Sequence, residues 1–186
     1  MTRAAFILAG GLSRRMGRDK ALLELAGEPL AARAARIGAE AAGRAFLVGP
    51  AALYGRLGYP CLEEQFRGLG PISGLHAALH SGLAEWCLVL ACDMPGLDAA
   101  SLRSLLEAAE NSSCDAAVTV SPDGRPEPLC AAYHARLAAL AAQHIRQNRL
   151  ALHDLLASIR WAAFPAPHPR FAANINTPEE WAQWNR

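Results

Sequence analysis

Trp86-Cys87-Leu88-Val89-Leu90-Ala91 is an unbroken apolar run that stops abruptly at Cys92-Asp93-Met94-Pro95. A strand with one face in water alternates apolar and polar residues, so a run without alternation predicts a strand covered on both faces. Its place is the middle of a sheet with helices on either side. Ala5-Phe6-Ile7-Leu8 is a second run of this kind, and it leads directly into a loop rich in glycine and arginine.

The rest of the chain repeats the pattern. Pro29 to Ala42 is Ala-rich, opens with the proline that a first helical turn tolerates, and stops at Gly43, which predicts a helix. Phe46 to Val48 reads as a strand, Tyr59 to Leu62 as a weaker one, and Arg67 to Pro71 as turns before a helix from about Ile72 to Gly82. Beyond Asp93, helical spacing returns over Ala99 to Glu110, with strands at Ala116 to Val120 and Leu129 to Tyr133 separated by Pro122-Asp123-Gly124. Helices are expected at Arg136 to Gln147 and Leu152 to Ser158. Phe164 to Pro169 is Pro-rich and is expected to cross the surface to a last helix, whose start carries the capping-box pattern Thr177-Pro178-Glu179-Glu180. Trp181 and Trp184 are expected to form that helix's packing face.

Short strands alternating with helices predict an α/β layered fold with ligands at the carboxyl ends of the strands. A chain of 186 residues, 52% hydrophobic counting Ala, can bury one substantial core, so a single domain spanning 1–186 is expected. A net charge of +1 from 18 basic and 17 acidic side chains supplies no global field toward nucleic acid or membrane. No apolar run approaches a spanning helix, and the run at Ala4 to Leu8 precedes the charges where a signal peptide would follow them. Five cysteines without a C-x-x-C pair suit small buried hydrophobes in a reducing cytoplasm better than a disulfide framework or a zinc site.

The chemistry is concentrated in Leu8-Ala9-Gly10-Gly11-Leu12-Ser13-Arg14-Arg15-Met16-Gly17-Arg18-Asp19-Lys20. Glycines let backbone N–H groups approach an anion closely, while Arg and Lys neutralise phosphate charge, so this loop after a strand fits a triphosphate. It is neither a P-loop, which needs Lys-Ser or Lys-Thr after its glycine, nor the G-x-G-x-x-G dinucleotide turn. Asp93 at the carboxyl end of the most apolar strand is placed to hold Mg²⁺ against phosphate oxygens, the alternative being a cap on the turn into the next helix.

These residues carry a resemblance. Leu-Ala-Gly-Gly-x-Ser-x-Arg-Met-Gly-x-Asp-Lys is similar to the signature of the molybdenum cofactor guanylyltransferases. Three later blocks resemble that family in the same order: Gly70-Pro71-Ile72-Ser73-Gly74, Ala91 to Pro95, and Asn174-Ile175-Asn176-Thr177-Pro178-Glu179-Glu180. The resemblance implies a Rossmann-like nucleotidyltransferase domain, three-layered with a mostly parallel central sheet. The implied reaction moves GMP from GTP to the terminal phosphate of molybdopterin and releases pyrophosphate. It implies Leu8, Ala9, Gly10, Gly11 and Gly74 around the nucleotide, Lys20 and Arg15 on phosphate, and Mg²⁺ on Asp93. Acceptor molybdoenzymes or their chaperones are the further partners it implies.

Two positions depart from the family. Gly49 stands where relatives often have asparagine, and Glu64 where they have aspartate; a carboxylate there faces guanine N1 and N2 donors, the alternative being an exposed loop charge. Asn174 and Asn176 are expected in a strand, hence on one face, the alternative being turns before the last helix, and the family's ending lies near pterin and metal. Arg149 resembles a family arginine near substrate phosphate. His76 and His80 are four apart on a helix without the glutamate of a zincin and are read as a chance pair. The rival cytidylyltransferases, which use CTP, read Leu-Ala-Ala-Gly and lack Cys-Asp-Met-Pro. A carrier that binds nucleotide or cofactor without turnover is the other alternative, and Lys20 with Asp93 argues against it.

Overall fold

Side chains along each apolar run divide by parity between the two faces of one sheet. The computed structural model describes residues 1–10 and 19–184. The chain begins with β1 (Arg3–Leu8), a 3₁₀ turn at Lys20–Leu22, the short strands β2 (Glu24–Leu25) and β3 (Glu28–Pro29), then α1 (Leu30–Ala42) and β4 (Ala45–Val48). It continues through α2 (Ala51–Tyr54), β5 (Cys61–Leu62), α3 (Pro71–His80), β6 (Trp86–Ala91), α4 (Ala99–Asn111), β7 (Ala116–Val120) and β8 (Pro126–His134). The last elements are α5 (Ala138–Arg146), α6 (Leu152–Leu156), β9 (Trp161–Pro165) and α7 (Pro178–Trp184).

Seven strands form the main sheet in the order β5-β4-β1-β6-β8-β7-β9. Neighbours run parallel except at β8, which is antiparallel to both β6 and β7. Ala5, Ile7, Leu47, Leu88 and Leu90 pack with α1 and α4 on one face. Ala4, Phe6, Val48, Cys87 and Val89 pack with α3, α5 and α6 on the other. Each central strand therefore needs apolar residues at every position, and all six residues of β6 are buried. This is a mostly parallel, three-layer α/β fold. β1 lies between β4 and β6, so the chain leaves β1 to one side and later returns on the other, which opens a crevice at the carboxyl ends of β1 and β6.

The helix starting at Leu30 ends where Gly43 takes φ 86°, the left-handed conformation glycine adopts without strain. Two expectations are corrected. The Pro-rich stretch Phe164 to Pro169, expected to cross the surface, instead starts inside a strand: β9, Trp161–Pro165, runs parallel to β7 in register Ala116↔Trp161 to Val120↔Pro165. It is the outermost strand, where a proline without an N–H is tolerated, and its partial exposure hid it from an apolar pattern. Residues 174–176 form no strand; the segment is extended coil, tied to β6's end by a bond from the Ile175 N–H to the Asp93 carbonyl at 2.9 Å. The β2–β3 hairpin was also not anticipated. Of the cysteines, Cys87, Cys92 and Cys130 are buried, while Cys61 and Cys114 are half-buried.

Candidate active site

Register sets the site. Leu8 pairs with Val48 on one side and Ala91 on the other, so Ala9-Gly10 and Cys92-Asp93 leave the sheet beside one another. The Ala9 N–H still donates to the Val48 carbonyl at 3.0 Å, which carries the strand's direction one residue further. The chain returns at Asp19, whose Oδ1 accepts from the Ala21 N–H at 3.0 Å and so caps the 3₁₀ turn that presents Lys20.

Lys20 Nζ donates to Asp93 Oδ2 at 3.0 Å and to Asn176 Oδ1 at 3.0 Å. Three segments far apart in sequence thus meet at one ammonium group. The Lys20 and Asp93 side chains are 16% and 17% exposed, shielded enough to strengthen the pair yet open to a ligand. The adjoining cavity, about 380 Å³, is lined by Leu8, Ala9, Gly10, Asp19, Lys20 and Ala21 from the first segment. Glu64, Gly68, Gly70, Pro71, Ala91, Cys92, Asp93 and Leu129 complete it.

Glu64 stands on the cavity wall, and burial raises its carboxyl pKa, partly offset by Arg67. Gly74 lies behind that wall: a Cβ there would come within 2.8 Å of Leu8 Cγ and 3.3 Å of Glu64 Oε1. The absent side chain lets α3 close on both. Burial above all, then the charge of Asp93, pushes the Cys92 thiol up, so it is no nucleophile at neutral pH.

The donor set suits Mg²⁺ rather than a metal caged by protein. Asp93 Oδ2 and Asn176 Oδ1 already converge on one positive group. Among the described residues, no cluster of three or more His, Cys, Asp or Glu gathers around a common point. One carboxylate beside a phosphate site is the arrangement in which Mg²⁺ keeps waters and takes its remaining oxygens from the nucleotide.

Of the residues singled out from sequence, Leu8, Ala9, Gly10, Lys20, Glu64 and Asp93 meet in the cavity, and Asn176 joins them through Lys20. Gly11 and Arg15 lie outside the described residues. Arg149 is exposed in the turn after α5, where its backbone N–H donates to the His144 carbonyl at 2.9 Å, and it does not line the cavity. His76 and His80 stack at 5.3 Å, with Phe66 edge-on to His76 at 5.0 Å, which is packing rather than ligation. Two residues were missed as site residues. Asp19 stood inside the quoted signature, whereas Tyr54, whose hydroxyl reaches both the Ala9 carbonyl and Asp19, belongs to no motif. Its one trace in the sequence is the glycine at 49.

The whole chain resembles proteins already named. A protein of Synechococcus elongatus called probable molybdenum cofactor guanylyltransferase is 37% identical, with 97% of each chain covered. One of the same name from Opitutus terrae is 36% identical over 95% of this chain and 92% of its own. The crystal structure of molybdopterin-guanine dinucleotide biosynthesis protein A from Archaeoglobus fulgidus superposes with a TM-score of 0.84 at 26% identity, covering 98% of this chain and 96% of that one. Residues 5–161 match the model of the MobA-like NTP transferase domain, and the chain belongs to that family of nucleotidyltransferases.

Proposed function

We propose that this enzyme transfers GMP from GTP to the terminal phosphate of molybdopterin, releasing pyrophosphate and forming the guanine dinucleotide cofactor. The observation that carries the reading is the meeting of Lys20, Asp93 and Asn176 beside the Ala9-Gly10 backbone. The names of its relatives support the choice of substrates.

A phosphate oxygen of the acceptor attacks the α-phosphorus of GTP, a new P–O bond forms, and the bond to the β-phosphate oxygen breaks as pyrophosphate leaves with the electron pair. The attacking phosphate is already anionic at neutral pH, so no general base is required. Catalysis then rests on alignment and on offsetting charge. Lys20, steadied by two oxygen acceptors, is the protein's cation for the triphosphate. The Gly10 backbone has room for a phosphate because no side chain stands there. Glu64, when ionised, accepts from guanine N1 and N2 donors. Mg²⁺, held by Asp93 with Asn176 adjacent, would draw charge from the phosphate oxygens.

The 1–186 chain is assigned as one catalytic unit in the cytoplasm. The product would pass to acceptor molybdoenzymes or their chaperones. The deciding assay incubates the protein with Mg²⁺, molybdopterin and each labelled nucleoside triphosphate in turn, following pyrophosphate and dinucleotide. Dinucleotide from GTP is expected; product from CTP, or binding without turnover, would sink the reading.

A further inference from the structure

Gly49 ends the loop side of β4 with φ 151°, and a Cβ built on it would lie 2.8 Å from Tyr54 Cε2 and 3.1 Å from Cδ2. The Tyr54 ring therefore packs against bare backbone, and it is only 2% exposed. Its hydroxyl lies 2.6 Å from the Ala9 carbonyl oxygen and 2.8 Å from Asp19 Oδ2. A phenylalanine would fill the same volume, so packing accounts for the ring and not for the oxygen. Burying a hydroxyl costs free energy unless it is bonded, and here it meets two acceptors, both on residues that line the cavity.

We propose that Tyr54 is a positioning residue for the nucleotide: its hydroxyl, with its single proton shared between the Ala9 carbonyl and the Asp19 carboxylate, holds the two together and thereby fixes the grip on the triphosphate, with Gly49 as the glycine that admits its ring. This rests on the nucleotide-transfer reading above. Because the C=O and N–H of a trans peptide point in opposite directions, holding the Ala9 carbonyl toward Tyr54 turns the Gly10 N–H away from it. A flipped peptide would aim carbonyl lone pairs where the N–H had been, which repels phosphate. The second contact acts on Lys20. Asp19 Oδ1 is bonded to the Ala21 N–H, so with Oδ2 on Tyr54 both carboxylate oxygens are engaged and the turn carrying Lys20 is fixed relative to Ala9. Burial first, and the bond to Asp19 next, push the phenol well above neutral pH, so it remains a donor while the enzyme works.

The test is steady-state kinetics and calorimetric nucleotide binding for the full chain, wild type against Tyr54→Phe. The variant keeps the ring against Gly49 and removes only the oxygen. A charge-assisted hydrogen bond is worth roughly a tenfold change, so KM and Kd for GTP should rise roughly tenfold while KM for molybdopterin stays unchanged. Gly49→Ala, which displaces the ring but keeps the hydroxyl, should raise the same constant and decides the matter where Tyr54→Phe folds poorly. An unchanged nucleotide constant, or a parallel rise for both substrates as general loosening would give, overturns the proposal. A wild-type protein that uses CTP would instead overturn the choice of GTP, and the Tyr54 comparison is then read with CTP. A protein that binds no nucleoside triphosphate overturns both.

Discussion

Asp93 is tied into the site through two different atoms, its carboxylate to Lys20 and its backbone carbonyl to the Ile175 N–H. Asp93→Asn separates the two, since the amide keeps the shape and loses the charge. Turnover should fall on the order of 10²-fold or more, because charge stabilisation by one preorganised group is worth that much. The melting temperature should move by only a few degrees, and unchanged turnover would remove Asp93 from the mechanism. Gly74→Ala tests the wall of the cavity. Overpacking costs about 1–3 kcal/mol, whereas replacing a helical glycine by alanine returns about 0.8–1.0 kcal/mol, so a net loss of about 1 kcal/mol is expected. Because the new methyl meets Leu8 and Glu64, nucleotide KM should rise as well, checked by kinetics beside a denaturant melt. Asp93 was readable because it sits two residues past a strand end, and Lys20 because it closes a loop dense in glycine and cations. Tyr54 was not, since its partners lie 45 and 35 residues away and no local pattern records them.

The last helix shows how an element's start can serve a site. Thr177 Oγ1 accepts from the Glu180 N–H at 3.2 Å, and Glu180 Oε2 accepts from the N–H groups of Asn176 at 2.6 Å and Thr177 at 3.1 Å. This is the capping box expected from the sequence, with one additional bond, to Asn176. Thr177→Ala should cost α7 about 1 kcal/mol, and Glu180→Ala should in addition release the Asn176 amide. Hydrogen exchange would register both: faster exchange across α7 in the first variant, and at Asn176 only in the second. β9 is the contrasting case. The strands around β6 announced themselves because burial on both faces demands unbroken apolar residues, but an edge strand needs only partial burial and tolerates Pro165. Its pattern resembles a loop until β7 is seen beside it. The stretch Asn174 to Asn176 misled in the opposite way, having the look of a strand and no strand to pair with.

At the scale of the whole molecule, the buried histidines link stability to pH. His144 is 1% exposed, and its Nδ1 has no hydrogen-bond partner among the described residues. Burial foremost, then the charge of Arg149, lowers its pKa against a smaller opposing effect of Asp154. The folded state therefore takes up its proton at a lower pH than the unfolded chain, which does so near pH 6.5. Below that value the unfolded state binds more protons, so this residue's contribution falls as pH falls. Guanidinium melts at pH 7.5 and 5.5 should show a larger drop for wild type than for His144→Leu; equal drops would assign the pH dependence elsewhere.

Lys20 and Asn176, joined by one hydrogen bond, lie 156 residues apart in the chain. The family match stops at residue 161, before the segment that supplies Asn176 and the Ile175 tie to Asp93. During synthesis the N-terminal strands emerge first and pair as they are made. An emerging chain can therefore build the sheet through β8 and still lack the bonds of Asn176 to Lys20 and of Ile175 to Asp93. A stop near residue 170 would remove both ties, together with the buried Phe171 and Ile175, so such a chain should lose turnover and some stability together.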